Sequence, residues 1–519
     1  MSRVRRFDLG AIATGWIVWT VPILVIGAIY YSPRHIASPA TVVTALIGLI
    51  VVLVAAQRPD LSLLGLILFL PFQGLVLAKL WDLGMPASVV SHLGAWKEAL
   101  ALGVIVAGLR NLIATRRRLD VVDRLALLFV ALTIGYALLQ PAFLSGSPTA
   151  SNIRLLGFRE TGGFVLLLFG ARHAPFPAGF ARRAGRAVLI AGGIVAAVGL
   201  FEATFSAAWN SFVVHAIKYP RYQADILHTY VADPGDIRVY GIVGGARIVR
   251  IGSVFLNQLT CGWYLILPFA VGLERAVRRT ASPPVLVTTA IIGAALLLTQ
   301  TRSAILGALI VAFLAFQPAA GRGRHWRTRV AILLAALAVV AVPAIAGSGL
   351  SDRIGSATSH SDQSTAGHLN GFSEGVDTVG RHPLGLGLGT GAGTGQRFAV
   401  HGDVIAENNY LEIGDELGIV PMLVFVALTL AVLLSLRRLS RGDPDPLTTA
   451  VWAGGVGLAF AAWFLQTWGD FAVAWTFWGL AGATFSVVRQ KARVSAVAPV
   501  ARPARAGTPR ALPLRSAAR

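Results

Sequence analysis

Residues 351–421 read SDRIGSATSHSDQSTAGHLNGFSEGVDTVGRHPLGLGLGTGAGTGQRFAVHGDVIAENNYLEIGDELGIVP, a long polar stretch in a chain otherwise rich in apolar runs. The stretch carries four histidines, a glycine-rich run and an acidic cluster. Apolar runs near twenty residues long are typical of membrane spans, because a helix of that length crosses a hydrocarbon core of about 30 Å. The polar stretch therefore predicts a large loop between two groups of spans.

The composition of the whole chain supports a membrane protein. Of the 519 residues, 55% are hydrophobic and 13% are charged, and the mean hydropathy is +0.68. Soluble domains are less apolar and more highly charged. We predict an all-α polytopic membrane protein with about 14 transmembrane helices. Residues 1–348 would hold the first eleven of them, with a smaller loop at 206–253, and residues 417–488 would hold the last three.

The net charge of +21 indicates topology rather than nucleic-acid binding. If the N terminus is cytoplasmic and the spans alternate, most of the arginines fall on the cytoplasmic side, as the positive-inside rule requires. This predicts a multi-pass protein of the cytoplasmic (inner) membrane with both termini in the cytoplasm, and no nucleic-acid partner. The large loop at 349–416 then lies at the outer face. The basic tail at 489–519, rich in Ala and Pro, is predicted to be disordered.

Both outer segments have the pattern of short helices. In the large loop, apolar residues at helical spacing predict an amphipathic helix from about Thr365 to Val379, which Pro383 then ends. A second helix is expected to begin near Glu407 and to lead into the next span. In the smaller loop, the interleaved aromatic residues of 206–250 favour short helices on the membrane surface.

Several charged residues stand at unusual places. Arg250 precedes one span, Arg302 begins another on the same predicted side, and Arg159 and Glu160 fall inside a span predicted at 154–171. A charge at mid-bilayer costs about 2.5–3.5 kcal/mol, so such residues tend to be paired, interfacial or functional. A guanidinium group suits a diphosphate, because its planar fork makes bidentate contacts. The alternatives are that Arg302 only reaches to the interface and that Arg159 and Glu160 form structural ion pairs.

The histidines and glycines do not indicate a metal or nucleotide site. His360, His368, His382 and His401 lack the spacing of metal ligands, and no cysteine accompanies them. Cys261 is the one cysteine of the chain, so an internal disulfide is excluded. The glycine-rich run at 385–395 lacks the Lys-Ser/Thr ending of a phosphate-binding loop. We therefore expect no metal and no cofactor, and a tight backbone path at the glycines.

Three local patterns stand in order between residues 245 and 435. The first is Arg250–Gly252, followed by SVFLNQ, and the second is Thr301–Ser303, followed by AILG. The third is an outer loop that contains Arg381–Gly387, Glu407–Leu411 and Glu416–Gly418. Together these patterns resemble the O-antigen ligase and O-antigen polymerase superfamily of bacterial membrane glycosyltransferases.

The resemblance implies a C-type glycosyltransferase (GT-C) fold and a donor glycan on a polyprenyl diphosphate, usually undecaprenyl diphosphate. The enzyme would move this glycan onto an acceptor hydroxyl at the outer face, with inversion and without a metal. Arg250 and Arg302 would bind the leaving diphosphate. The further candidates for substrate contacts are Arg159, Arg381, His382, His401, Asn408 and Tyr410.

The sequence departs from the family pattern at Glu407, where ligases of this family usually carry His. A positioned carboxylate can take the proton of an acceptor hydroxyl, so Glu407 is the candidate general base. The alternatives are that Glu407 caps a helix N terminus and that His382 or His401 is the base. The departure favours a polymerase, or a ligase for another acceptor.

Two other function classes share part of this pattern. A transporter or flippase of lipid-linked or anionic substrates would also have many spans and buried arginines, but such proteins usually show inverted repeats and sites at mid-membrane. The chain shows no half-to-half symmetry, and its polar candidates lie on one predicted face. A membrane assembly protein without chemistry is the third alternative, and it predicts that changes at Arg250 or Glu407 leave glycan length unaltered.

Overall fold

The computed structural model describes residues 39–139, 144, 149–229, 233–243, 246–316, 363–391, 394–395, 407–442 and 445–497. These residues are mostly helical. The first and eleventh predicted spans, and the tail beyond residue 497, lie outside the described residues.

The first half of the described chain is built from helices joined by short turns. They are α1 (Pro39–Gln57), α2 (Pro59–Phe69), α3 (Gln73–Asp82), α4 (Ala87–Leu93), α5 (Trp96–Thr115), α6 (Val121–Leu138), α7 (Ser151–Thr161), α8 (Gly163–His173), α9 (Phe180–Thr204), α10 (Ser206–Ser211) and α11 (Tyr219–Tyr222).

The second half begins with a hairpin of β1 (Val239–Val243) and β2 (Ala246–Arg250), and then continues as helices. The helices are α12 (Gln258–Val277), α13 (Pro283–Leu298), α14 (Arg302–Phe316), α15 (Gln363–Arg381), α16 (Asn409–Leu417), α17 (Ile419–Gly442), α18 (Pro446–Ala461) and α19 (Phe471–Val497). The positions of α15 and α16 coincide with the two helices predicted in the large loop.

Six helical segments of the described chain are long and apolar enough to cross a membrane, and five shorter apolar helices accompany them. Large apolar side chains such as Ile50, Phe313 and Leu434 point outward on these helices. In water such surfaces would be costly, whereas lipid tails match them. The chain is therefore a multi-pass helical membrane protein. The number of about 14 spans stays a prediction.

The centre of the bundle is α12. Its side chains are buried on nearly every face, and it packs against α9, α13, α14 and α18. A helix that is apolar all round is expected to be enclosed by other helices rather than to face one side. Because α12 begins only eight residues after Arg250, the position of this enclosed helix limits how far Arg250 can lie from its N-terminal end.

The two ends of the bundle differ in charge. At one end, Arg172 on α8 binds Asp123 at the start of α6, with Nε 2.7 Å from Oδ1. At the same end, Arg183 near the start of α9 binds Asp60 near the start of α2, with 3.1 Å between the atoms. We call this the arginine-rich end, and the opposite end, where α9 and α13 finish and α14 begins, the site end.

Two expectations about the secondary structure were wrong. The smaller loop is helical only from Ser206 to Leu227, and residues 239–250 pair as an antiparallel hairpin. The sequences VYGIV and ARIVR are rich in β-branched residues, which favour strands. The described chain is thus not entirely α-helical. Arg250 is the last residue of this hairpin.

The second correction concerns the span predicted at 154–171. The helix is interrupted at Gly162, so that a polar α7 precedes an apolar and buried α8. Glycine weakens a helix, and Gly162–Gly163 stands where the sequence changes from polar to apolar. Arg159 and Glu160 therefore belong to α7 and not to a continuous span.

Close helix packing at glycines predicts a stability test. A Cβ atom at Gly108 on α5 would lie 2.1 Å from the carbonyl oxygen of Gly170 on α8. We expect Gly108→Ala to destabilise the protein by about 1–3 kcal/mol, because the two backbones must separate. Thermal unfolding in detergent would measure the loss. Gly135→Ala on α6 is the control, since nothing lies within 4 Å of its Cβ position, and an equal loss in both variants would contradict the packing.

Candidate active site

Arg250 and Arg302 come together at the site end. The Nε atom of Arg250 donates to the carbonyl oxygen of Thr299 at 3.2 Å, and Nη2 lies 3.5 Å from the carbonyl oxygen of Gln300. Both carbonyls belong to the turn that leads directly into Arg302 at the start of α14. Two arginines that are far apart in sequence thus stand at one helix N terminus.

The residues on both sides of Arg302 are held by α12. The hydroxyl of Thr301 donates to the carbonyl oxygen of Gln258 at 3.0 Å. The indole of Trp263 donates to Ser303 Oγ at 3.1 Å. The N terminus of a helix carries a partial positive charge and unbonded N–H groups, so this position attracts anions. The local charge therefore fits a phosphate or diphosphate group.

A series of contacts leads from Arg302 to the segment of Glu407. The hydroxyl of Thr260, near the start of α12, donates to Asp470 Oδ2 at 2.8 Å. Two residues earlier, the N–H of Trp468 donates to Asn409 Oδ1 at 2.5 Å. Asn409 in turn donates its N–H to the carbonyl oxygen of Ala462 at 3.0 Å. These bonds tie the start of α16 to the same end of the bundle.

The crossing of α14 and α18 supports the same placement. The two helices touch at Gly307 and Gly457, where a Cβ atom at Gly307 would lie 2.9 Å from the carbonyl oxygen of Gly457. Arg302, the first residue of α14, lies five residues from this crossing in the direction of the site end. Ala462, directly after α18, lies five residues from it in the same direction. Glu407 stands two residues before Asn409, which binds Ala462, so Glu407 lies at about the level of Arg302.

Asn408 and Tyr410 make structural contacts. Asn408 Oδ1 accepts from the N–H groups of Tyr410 and Leu411 and so caps α16, while its Nδ2 donates to the carbonyl oxygen of Trp463 at 2.8 Å. The Tyr410 hydroxyl donates to the carbonyl oxygen of Ala459 at 3.1 Å. Both residues are buried. The helix cap predicted as one role for Glu407 is thus supplied by its neighbour Asn408.

The glycine-rich run follows a tight path against the end of α16. Gly385, Gly387 and Gly389 have φ angles of +77°, +108° and +83°, a region that favours glycine. The N–H of Leu386 donates to the carbonyl oxygen of Asp415 at 2.7 Å, and Gly387 donates to that of Glu416 at 3.0 Å. The run therefore satisfies the last carbonyls of the helix, which otherwise lack partners.

The side chain of Glu416 fastens the same run. Its Oε1 accepts from the N–H groups of Gly389 and Gly391, each at 3.1 Å, and its Oε2 accepts from the Thr161 hydroxyl at 3.2 Å. Burial and the nearby Glu160 raise the pKa of Glu416 to about 7, against the opposing effect of these hydrogen bonds. Glu416 thus joins α16, the glycine-rich run and α7. The sequence placed it in a motif but assigned it no role.

Arg159 forms an ion pair, as one of the two alternatives predicted. Its Nε and Nη2 donate to Glu98 Oε1 at 2.9 and 2.5 Å. The guanidinium lies 5.6 Å from the ring centre of Phe471, and the buried Lys97 Nζ lies 4.8 Å from the same centre. Sequence reasoning missed Lys97 and Glu98, although a charged pair at the start of the apolar α5 was a signal of them.

Three further predicted contact residues are Arg381, His382 and His401. Arg381 is exposed at the end of α15 and pairs with Asp377 at 3.2 Å. His382 follows it and donates its N–H to the carbonyl oxygen of Thr378. His401 lies outside the described residues. Their roles as substrate contacts stay predictions.

A cavity of about 840 Å³ lies in the smaller loop. Its lining includes His215, Lys218, Arg221 and His228. Lys218 is paired with Asp82 at 2.6 Å, which offsets part of this charge. None of the lining residues belongs to the segments that hold Arg250 or Arg302, so the cavity is separate from the arginine pair.

A comparison with known families gives one match. Residues 287–426 match the family model described as O-antigen ligase. This part of the chain is therefore similar to O-antigen ligases. This supports membership of the O-antigen ligase superfamily, as the resemblance implied. The match includes Arg302, Glu407 and Glu416, whereas Arg250 lies ahead of it.

No curated protein matches the chain. The O-antigen ligase domain, together with the apolar helices, indicates a membrane glycan ligase or polymerase with glycosyltransferase-like activity. It gives no support to the transporter alternative.

The acidic residues of α16 predict a pH dependence. Burial and the neighbouring Glu416 raise the pKa of Asp415 to about 8, and that of Glu416 is also raised. The folded protein then binds more protons than the unfolded chain between the ordinary carboxyl pKa and about pH 8, so these groups make stability fall as the pH rises through this range. We expect Asp415→Asn to flatten that fall in melting temperature between pH 5 and pH 8.

Glu412→Gln provides a comparison on the same helix, since the pKa of Glu412 is likewise raised, first by burial. An Asp415→Asn protein whose melting temperature differs from that of the wild type by the same amount at both pH values would contradict the assignment.

Proposed function

We propose that this protein transfers or polymerises a glycan from an undecaprenyl (polyprenyl) diphosphate donor onto an acceptor hydroxyl. The reaction would take place at the outer face of the bacterial cytoplasmic membrane, with both termini in the cytoplasm and a GT-C arrangement of about 14 spans. The observation that supports this most directly is the convergence of Arg250 and Arg302 at the N terminus of α14.

The two arginines would stabilise the leaving diphosphate. As the bond to the sugar breaks, its electron pair passes to the diphosphate oxygen, and negative charge grows there. Donors placed in advance around such a charge cost no reorganisation at the moment of reaction. The bonds of Arg250 to Thr299 and Gln300 hold its guanidinium at the turn that leads into Arg302. This charge makes a metal ion unnecessary in the proposed mechanism.

Glu407 would be the general base. The acceptor oxygen attacks the anomeric carbon from the side opposite to the diphosphate, and its proton passes to the Glu407 carboxylate, so that the configuration is inverted. The cap formed by Asn408 and its bond to Trp463 hold this segment at the site end. His382 and His401 remain the other proposed bases.

The remaining contact residues have supporting roles in this proposal. Asn408 and Tyr410 position Glu407, and Arg159, with Glu98, would border the glycan site from α7. Arg381 and His382, at the end of α15, would contact the glycan further from the reacting bond. The exposed position of Arg381 fits such an outer contact.

The assay incubates purified protein with a polyprenyl-diphosphate oligosaccharide, with and without a candidate acceptor. A ladder from donor alone indicates a polymerase, and a single acceptor-dependent product indicates a ligase. No transfer to any offered hydroxyl acceptor, with folded protein in a bilayer, would contradict the proposed function.

Removal of either arginine tests the site. We expect Arg302→Ala and Arg250→Ala each to lower kcat by about 100- to 1,000-fold, because a preorganised donor to the developing charge is lost. Initial rates of glycan transfer would measure this. Arg221→Ala is the control, since that exposed arginine of the smaller loop pairs only weakly with Asp225 at 3.3 Å. Full activity in Arg302→Ala would remove this residue from the mechanism.

Replacement of the proposed base gives a second test. Glu407→Gln should lower kcat by about 100- to 10,000-fold with little change in melting temperature, because the amide cannot accept the proton. The acidic limb of the pH–rate profile should also disappear. A Glu407→Gln enzyme that keeps both its rate and its pH profile would transfer the role to a histidine of the large loop.

A further inference from the structure

Glu202 is a buried carboxyl group in the last turn of the apolar helix α9. Its exposed fraction is 4%. An ionisable side chain within a membrane-spanning helix is costly, so a function is the first hypothesis for it. In the described part of the chain no basic side chain bonds to Glu202. Its Oε2 atom instead accepts from two backbone N–H groups, those of Gly252 at 3.0 Å and Ser253 at 2.6 Å.

These two N–H groups belong to a strained turn directly after Arg250. Ser253 has a φ of +51° and Leu256 a φ of +54°, and such left-handed conformations cost non-glycine residues about 1–2 kcal/mol each. The hydroxyl of Ser253 also donates to the carbonyl oxygen of Val195 on α9, at 2.6 Å. Because the conformation is unfavourable by itself, its contacts with α9 are needed to maintain it.

One residue, Ile251, connects this turn to Arg250. Ile251 donates its N–H to the carbonyl oxygen of Leu298 at 3.4 Å. The side chain of Ile251 packs on Gly199, one turn before Glu202, where a Cβ atom would come within 2.8 Å of it. Ile251 is therefore fixed from both sides, and Arg250 is set against the turn that precedes Arg302.

We propose that Glu202 is a positioning residue that holds the guanidinium of Arg250 in place for glycan transfer. This inference rests on the proposed function. Glu202 touches no reacting atom and acts only through the turn at Gly252 and Ser253. A carboxyl oxygen suits this place, because its lone pairs can accept both N–H groups at once. Without it, two buried donors lose their partner, which is expensive inside the membrane.

The first experiment compares Glu202→Ala and Glu202→Gln in the full-length protein in bilayer discs, with a polyprenyl-diphosphate oligosaccharide as donor. We expect Glu202→Ala to lower kcat by about 10- to 100-fold with little change in KM, since small displacements of a catalytic group have effects of this size. Glu202→Gln should keep most of the activity, because the amide oxygen can accept the same two bonds. If Glu202→Gln is as slow as Glu202→Ala, the positioning role is overturned.

A double-variant cycle separates positioning from general stability. If Glu202 acts through Arg250, Glu202→Ala combined with Arg250→Ala should be no slower than Arg250→Ala alone. Glu274→Ala is the matched control, because Glu274 is a buried carboxyl on α12 that binds Arg278, the residue directly after that helix. The losses of kcat caused by Glu274→Ala and by Arg250→Ala should multiply when the two changes are combined. Multiplied losses in the Glu202 double variant would overturn the proposal.

Hydrogen exchange gives a readout that does not depend on activity. The amides of Gly252 and Ser253 should exchange faster in Glu202→Ala than in the wild type and remain protected in Glu202→Gln. Should Glu202→Ala fail to fold, Glu202→Asp replaces it, since the shorter side chain withdraws the acceptor and should also lower kcat. Absence of glycan transfer by the folded wild-type protein would refute the proposed function. Loss of activity in Arg250→Ala, together with an active Glu202→Ala protein, would refute only the role of Glu202.

Discussion

The contact of the Arg250 guanidinium with the carbonyls of Thr299 and Gln300 is the interaction on which the proposed site depends. It joins the end of the hairpin to the turn before Arg302. A chain with few charged residues places two of its arginines at one helix N terminus, where repulsion between them would oppose folding. The carbonyl oxygens of Thr299 and Gln300 offset part of this repulsion, and a bound diphosphate would offset more of it. The family match over residues 287–426 places Arg302 within the O-antigen ligase domain.

In its described part, the large loop is held to the bundle by hydrogen bonds to main-chain groups. Glu416 accepts two N–H groups of the glycine-rich run, and that run covers the last carbonyls of α16. Asn408 fixes the opposite end of α16 by its bond to Trp463. Both ends of this helix are therefore anchored, and the segment of Glu407 is presented from a rigid element. Such anchoring suits a group that must stay close to a reacting bond.

Much of this arrangement followed from the sequence, and the remainder has physical reasons. The apolar runs predicted the helices, and the charge pattern placed Arg250 and Arg302 on the same predicted side. Periodicity did not predict the hairpin that carries Arg250, because its short strands follow a segment with a helical pattern. The partners of Arg159 and Glu416 depend on packing between distant helices, which one sequence does not specify. Glu202 stayed hidden for the same reason, since its partners are backbone N–H groups.

The most direct test of the central claim is a cryo-electron microscopy map of the protein in a bilayer disc with undecaprenyl diphosphate bound. The account predicts phosphate density within hydrogen-bonding distance, about 3 Å, of the guanidinium groups of both Arg250 and Arg302 at the start of α14. Phosphate density in the cavity beside Lys218 and Arg221, with none between Arg250 and Arg302, would contradict it.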